Sequence, residues 1–204
     1  VHAGPGHAAR DAGVRRVVYS ASSSAYGDQK QMPLQEDMIP NPMSPYALQK
    51  YMGETLCVLF PQLYDIETVS LRYFNVYGPR MDVGGDYATV IGKFLRLKEG
   101  GQPLTIIGDG KQTRDFTNVA DVVRANILAS QVEKGGGEVV NIGAGDNHSV
   151  QEIADIIGGD HVYIPERPGE VKDTLADISK AKRILGWEPK VSLKDGVNQL
   201  INYV

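Results

Sequence analysis

Cysteine is nearly absent. The 204 residues contain one, Cys57, which excludes an internal disulfide and suits a reducing compartment, so a cytoplasmic protein is expected. No apolar run approaches the roughly 18 residues of a membrane span. The opening stretch, Val1 to Arg10, has neither the basic nor the apolar region of a signal peptide and reads as a chain cut mid-fold. Basic excess is lacking as well: the formal net charge is -4 and the lysines and arginines are scattered, which excludes the electrostatic footprint of a nucleic-acid binder and points to small-molecule partners. His2, His7, His148 and His161 show no ligand spacing with one another or with Cys57, so no metal is expected.

A glycine-rich dinucleotide loop is also missing. Such a loop needs a strand, a glycine turn and a helix within about 30 residues, the helix amino terminus holding the pyrophosphate. The nearest candidates, Gly4-Pro5-Gly6 and Gly143-Ala144-Gly145, lack either the preceding strand or the third glycine.

What is present is a composition ordinary for a folded protein, 42% apolar and 23% charged, without repeats, low-complexity tracts or a separating linker. The β-branched run Arg15 to Ser20 reads as a buried strand, and Glu67 to Phe74 repeats the pattern. Between them Ser44 caps a helix with Pro45 in its first turn, running from Tyr46 to Phe60 and broken by Pro61. Strand, helix, strand makes a parallel crossover. Further on, a helix over about Ala88 to Glu99 precedes a strand at Leu104 to Ile107. Asn118 then caps a helix through about Val132, and Glu138 to Ile142 forms a strand. Ser149 with Glu152 makes a capping box, and Ser192 with Asp195 a box-like start for the last helix. Trp187, just after Gly186, is expected to anchor the core.

Tyr46 and Lys50 lie one helical turn apart, so both side chains rise from one face and can meet one ligand. A phenol titrates near pKa ~10 and is a poor base at neutral pH unless a cation stabilises its phenolate. Lys50 supplies that cation. Tyr26 and Lys30 share the spacing but straddle Gly27 in a loop, where the shared-face argument fails. Ser22, Ser23 and Ser24 follow the first strand and put hydroxyls at its carboxyl end, where open α/β sheets bind ligands. A serine there can hydrogen-bond a substrate hydroxyl while the phenolate takes its proton. The plain alternatives are a turn of serines and a half-buried tyrosine beside a solvated lysine.

Read together, these blocks carry a resemblance. Val18-Tyr19-Ser20-Ala21-Ser22-Ser23-Ser24-Ala25-Tyr26-Gly27, Pro45-Tyr46-Ala47-Leu48-Gln49-Lys50 and Arg72-Tyr73-Phe74-Asn75-Val76-Tyr77-Gly78-Pro79-Arg80 occur in order. Gly108-Asp109-Gly110-Lys111-Gln112-Thr113-Arg114-Asp115-Phe116 follows, then Arg167-Pro168-Gly169-Glu170 and Ala176-Asp177-Ile178-Ser179-Lys180-Ala181. From Gly13 onward the chain resembles the extended short-chain dehydrogenase/reductases, in particular their UDP-glucose 4-epimerase-like group.

The resemblance implies an α/β fold: a Rossmann-like parallel sheet, its N-terminal βαβ units absent here, with a smaller carboxy-terminal α/β substrate domain. Residues 1–80 would be the later part of the NAD-binding domain. Residues 81–204 would bind mainly the nucleotide-sugar, with 104–145 partly returning to the Rossmann sheet. Tyr46 would be the base, Lys50 would hold the nicotinamide ribose, and Ser22 would bond the sugar 4-hydroxyl. Ser20 and Phe74 would lie with Tyr46 and Lys50 at the NAD, and Ser24 and Asn75 at the UDP-sugar. Arg114 and Arg167 would bind the diphosphate, a task suited to forked donors of fixed charge, the plain alternative being surface ion pairs. Glu170 would accept from the nucleotide ribose. A homodimer through helix packing is usual in this family.

The implied chemistry is oxidation at sugar C4, with hydride passing to NAD, followed by return of the hydride on the other face. Family members that dehydrate or decarboxylate the ketone place acidic residues just before the Tyr-Gly pair, where this sequence has Ser23, Ser24 and Ala25. Epimerisation is therefore expected ahead of dehydration or decarboxylation, with a non-catalytic truncated remnant as the other reading. The resemblance further implies that the position four residues after the Arg-Pro-Gly-Glu block, here Thr174, limits space beside the sugar. Being small, it would admit UDP-N-acetylglucosamine and UDP-N-acetylgalactosamine along with UDP-glucose and UDP-galactose.

Overall fold

A computed structural model describes residues 4–84, 89–133, 135–166 and 171–202. The chain opens with α1 (Gly4–Asp11), β1 (Arg16–Ser22), a single 3₁₀ turn at Ser23–Tyr26 and α2 (Pro45–Leu63). β2 (Glu67–Tyr73), β3 (Val76–Tyr77), α3 (Val90–Glu99) and β4 (Leu104–Ile107) follow. Next are β5 (Thr113–Asp115), β6 (Thr117–Asn118), α4 (Val119–Gln131) and β7 (Gly136–Ile142). The remainder comprises β8 (Asn147–Ser149), α5 (Val150–Ile157), β9 (His161–Ile164), α6 (Ser179–Leu185) and α7 (Leu193–Ile201).

The sheet that organises the molecule runs β1-β2-β7, all parallel, with Val18 opposite Val69 and Leu71 opposite Val140. Helices cover both of its faces, but only one is apolar throughout: Val69 and Leu71 of β2 lie in the apolar cluster, whereas Thr68, Ser70 and Arg72, which alternate with them, are buried polar residues. Val69, Leu71, Val140 and Ile142 pack with Val122, Ala125 and Ala129 of α4, Ala181 and Leu185 of α6, and Trp187. Trp187 is the expected anchor: its side chain is fully buried and its indole N–H donates to the Asp121 carbonyl at 2.9 Å. A second cluster joins Ile91 and Phe94 of α3, Leu104 and Ile106 of β4, Ile153 and Ile157 of α5, and Val197 and Leu200 of α7. Residues 104–145 are therefore split. α4 and β7 lie with the parallel sheet, whereas β4 pairs with β9 in a separate two-stranded sheet within the second cluster.

The helix starts follow the local chemistry. Ser44, Thr89, Asn118, Ser149 and Ser192 each accept a backbone N–H of the first turn they cap, and Ser149 with Glu152 closes the reciprocal box. Ala88, the expected start of α3, lies outside the described residues. One expectation is corrected. Pro61 does not stop α2, which continues to Leu63. A proline there leaves the carbonyl of Cys57, four residues earlier, without its helical donor, and the Thr68 hydroxyl donates to that carbonyl. Near the start of the chain, α1 is seated at the end of α2, where His7 meets the rings of Phe60 and Tyr64 edge-on.

Candidate active site

β1 delivers its serines at the carboxyl end of the parallel sheet. Ser22 caps the 3₁₀ turn, its Oγ accepting from the Ser24 N–H at 3.2 Å and the Ser24 hydroxyl at 2.8 Å. Tyr26 closes that turn from beneath. Its side chain is fully buried, its hydroxyl donates to Asn141 Oδ1 at 2.7 Å, and the Arg72 guanidinium lies 4.5 Å from its ring centre. Burial pushes its phenol up to about 12, so it is no base at neutral pH, and the spacing it shares with Lys30 carries no chemistry.

Tyr46 stands in the first turn of α2, 40% exposed, with Lys50 Nζ 5.9 Å from its ring centre. Lys50 is held at both ends: Nζ donates to the Ser20 carbonyl at 3.0 Å, and its own carbonyl accepts from the Tyr19 hydroxyl at 3.3 Å. Tyr19 comes so close to α2 because residue 53 is glycine. A Cβ there would overlap the Tyr19 hydroxyl and lie 2.5 Å from its Cζ.

The opposite wall is built from residues distant in sequence. Asn75 follows β2 with φ of 31°, a left-handed conformation that asparagine tolerates better than most residues. Its Nδ2 donates to the Asp115 carbonyl at 2.8 Å and lies 3.4 Å from Thr174 Oγ1. Thr174 Oγ1 also accepts from the Asp115 N–H at 3.2 Å. Arg114 Nη1 donates to the carbonyls of Thr113 and Lys172, both at 2.8 Å, which anchors the guanidinium on that side.

These walls enclose one cavity of about 700 Å³. It is bordered by Ser22, Ser24, Tyr46 and Lys50 on one side and by Asn75, Arg114 and Thr174 on the other. The structure does not bring every expected residue there. Phe74 is fully buried, packed with Tyr26, Leu34 and Ala176 beneath the cavity. Ser20 is exposed beside it, its Oγ 3.3 Å from the Tyr73 hydroxyl while its carbonyl holds Lys50. Arg167 and Glu170 lie outside the described residues.

Sequence reasoning missed the cavity's third side, formed by Val90 and Lys93 of α3 with Thr105 and Ile107 of β4. The available signal was the two-residue strand period. Leu104 and Ile106 enter the core, so their alternates must face the other way. Three cations, Lys50, Lys93 and Arg114, border the cavity, and no carboxylate does among the described residues. Gly143-Ala144-Gly145 does hold an anion, although an internal one: the Ala144 and Gly145 N–H groups donate to the Asp115 carboxylate at 2.6 and 3.0 Å.

A parallel sheet flanked by helices, with a tyrosine and lysine one turn apart facing serines at its carboxyl end, defines a Rossmann-like α/β protein of the short-chain dehydrogenase/reductase kind. Within that class the chain belongs to the NAD dependent epimerase/dehydratase family, whose profile matches residues 6–143. The UDP-glucose 4-epimerase of Mycolicibacterium smegmatis is 37% identical over 203 residues, covering 96% of this chain and 64% of that protein. The crystal structure of the UDP-glucose 4-epimerase of Thermotoga maritima with UDP-glucose is 39% identical with a TM-score of 0.90, over 97% of this chain and 66% of that one. A UDP-N-acetylglucosamine 4-epimerase from Methanobrevibacter ruminantium M1, in complex with UDP-N-acetylmuramic acid, is 35% identical with a TM-score of 0.89 over the same shares, 97% and 66%. The chain spans somewhat less than two thirds of the length of the curated relatives it matches, 64% in the Mycolicibacterium case.

Proposed function

We propose that this chain serves NAD-dependent epimerisation at C4 of a UDP-hexose, UDP-glucose and UDP-galactose being the reference pair. The carrying observation is the meeting of Ser22, Tyr46 and Lys50 with Asn75, Arg114 and Thr174 around one cavity. When bound, the nicotinamide supplies a hydride acceptor and donor at sugar C4. The protein's part is binding and proton transfer. Ser22 orients the 4-hydroxyl and Tyr46 takes its proton, with the Lys50 ammonium held beside the ring. Lys50 uses one of its three donors on the Ser20 carbonyl, which fixes the ammonium where a nicotinamide ribose could receive the others. Ser20 and Phe74 act from behind, through the Lys50 anchor and the packing under the serine turn. Arg114 takes the diphosphate, with Arg167 and Glu170 assigned to the nucleotide by their sequence blocks. We assign the dinucleotide to the unit of β1, β2, β7, α2, α4 and α6, and the nucleotide-sugar mainly to the cluster of α3, β4, α5 and α7.

The absence of a carboxylate among the described residues bordering the cavity favours epimerisation over dehydration or decarboxylation, which need a further acid or base. Tyr46→Phe in the full-length protein should lower UDP-galactose to UDP-glucose conversion about 10²-fold or more while leaving UDP binding intact. Retained turnover would sink the assignment of the base, and a deoxygenated or decarboxylated product the reaction class. Thr174 leaves room beside the sugar, so we also propose that N-acetylated UDP-hexoses are accepted. Thr174→Tyr should remove that activity and spare UDP-glucose, and equal loss of both would count against it.

Among the described residues no helix is long and apolar enough to cross a membrane. The proposed setting is cytoplasmic and the proposed assembly a homodimer through α2. Leu48, Met52, Leu56, Leu59 and Leu63 leave an apolar stripe exposed along that helix. Light scattering at the monomer mass would dismiss the dimer.

A further inference from the structure

Directly behind the cavity wall stands a fully buried charge that the proposed chemistry does not use. Asp115, at the end of β5, receives one backbone donor on Oδ1, from Ala144 at 2.6 Å, and two on Oδ2, from Gly145 and Ala176, each at 3.0 Å. The donors come from two segments about 30 residues apart in sequence, the 143–145 turn and the 174–176 strand-like stretch, which also pack on each other where Gly143 faces Ala176. Burial opposes ionisation and pushes the carboxyl up to about 6, although the three N–H groups pull the other way. The packing is close: a Cβ on Gly143 would overlap the Ala176 Cβ and come within 2.8 Å of Oδ2. The backbone of the same residue faces the cavity wall. Its N–H donates to Thr174 Oγ1 at 3.2 Å, its carbonyl accepts from Asn75 Nδ2 at 2.8 Å, and Arg114 precedes it in the chain. Asn75 holds its left-handed backbone under these bonds.

We infer that Asp115 is a positioning residue: its buried carboxylate clamps the 143–145 turn and the 174–176 segment onto β5, and so sets the arc of Asn75, Arg114 and Thr174. That the arc receives a UDP-sugar rests on the function proposed above. Asp115→Asn keeps the shape but turns an amide N–H₂ toward a backbone donor, so one of the two segments must withdraw. Gly143→Ala presses on the Ala176 Cβ and on the same carboxylate, and so forces the two segments apart where Asp115 joins them. A group that binds substrate and transition state alike moves KM and leaves kcat alone.

The test compares full-length wild type, Asp115→Asn and Gly143→Ala by UDP calorimetry, by steady-state kinetics with UDP-galactose and by amide exchange at Ala144, Gly145 and Ala176. The expected result is folded variants with faster exchange at those amides, UDP dissociation constants and KM raised about tenfold, and kcat little changed. Unchanged exchange, or UDP affinity equal to wild type in folded variants, overturns the inference. So does failure of both variants to fold beside a folded wild type, because the carboxylate would then serve the whole fold and not the arc. A wild type that binds no UDP would overturn the reading of the site, and exchange at the three amides would still decide the role of Asp115.

Discussion

Replacing Glu54 by glutamine should be among the most damaging single changes outside the cavity, and its size follows from the geometry. Glu54 on α2 and Arg72 on β2 form a forked pair, Arg72 Nη2 to Oε1 at 2.6 Å and Nε to Oε2 at 2.8 Å, with both side chains 3% exposed. Glutamine keeps the shape and one acceptor but leaves the guanidinium buried without its counter-charge. Breaking such a pair by removing one partner costs about 3–5 kcal/mol. At about 2–4 °C per kcal/mol for a chain of this size, Tm should fall by roughly 6–20 °C. Arg72 also lies against Tyr26, whose turn carries Ser22 and Ser24, so turnover should fall further than the loss of folded protein explains. Replacing both partners by methionine removes the buried charges together and should recover most of the stability. Thermal and urea unfolding followed by circular dichroism at neutral pH measure all three proteins. A Glu54→Gln midpoint within about 2 °C of wild type would mean that the pair is worth no more than a surface ion pair, and the reasoning fails.

Gly53→Ala should lower both stability and turnover despite the better helix propensity of alanine, because its Cβ displaces Tyr19 and with it the hydrogen bond to the Lys50 carbonyl. Overpacking of about 1–3 kcal/mol outweighs a propensity gain of about 1 kcal/mol, and a raised Tm with full activity would contradict this. The pH dependence of unfolding should carry the signature of Asp115, whose carboxyl burial pushes up to about 6 in the folded protein, above its ordinary value of 3.8. Between those values the folded state binds a proton that the unfolded state has released, so this contribution is complete below pH about 4 and is lost as pH rises through about 6. The loss is about 2–3 kcal/mol, and the slope should be missing from urea unfolding of Asp115→Asn; an identical slope in the two proteins would assign it to other groups.

What the sequence made legible was local. Ser44 and Pro45 start α2, so the one-turn spacing of Tyr46 and Lys50 had a defined helix face. The apolar strands, the Ser149 and Glu152 box and the buried Trp187 were readable for the same reason, since each depends on neighbours within a few residues. Pro61 shows where local rules fail: a proline inside a helix is tolerable when a distant hydroxyl, that of Thr68, satisfies the carbonyl it orphans. The resemblance placed residues 104–145 only partly in the parallel sheet without saying which of their strands belong there, and apolar residues such as those of β4 do not say which partner strand they choose. Phe74 was drawn toward the cofactor by its block, yet it packs beneath the cavity against Tyr26 and Leu34. The wall of Asn75, Arg114 and Thr174 was the least readable part because its geometry depends on long-range polar pairing, Asp115 with Ala144 and Ala176 and Asn75 with Thr174. An aspartate beside Arg114 has no periodicity or spacing that announces burial. The wall of Tyr46 and Lys50 can thus be inferred from one helix, whereas the wall of Asn75, Arg114 and Thr174 depends on three segments distant in sequence that meet at the Asp115 carboxylate.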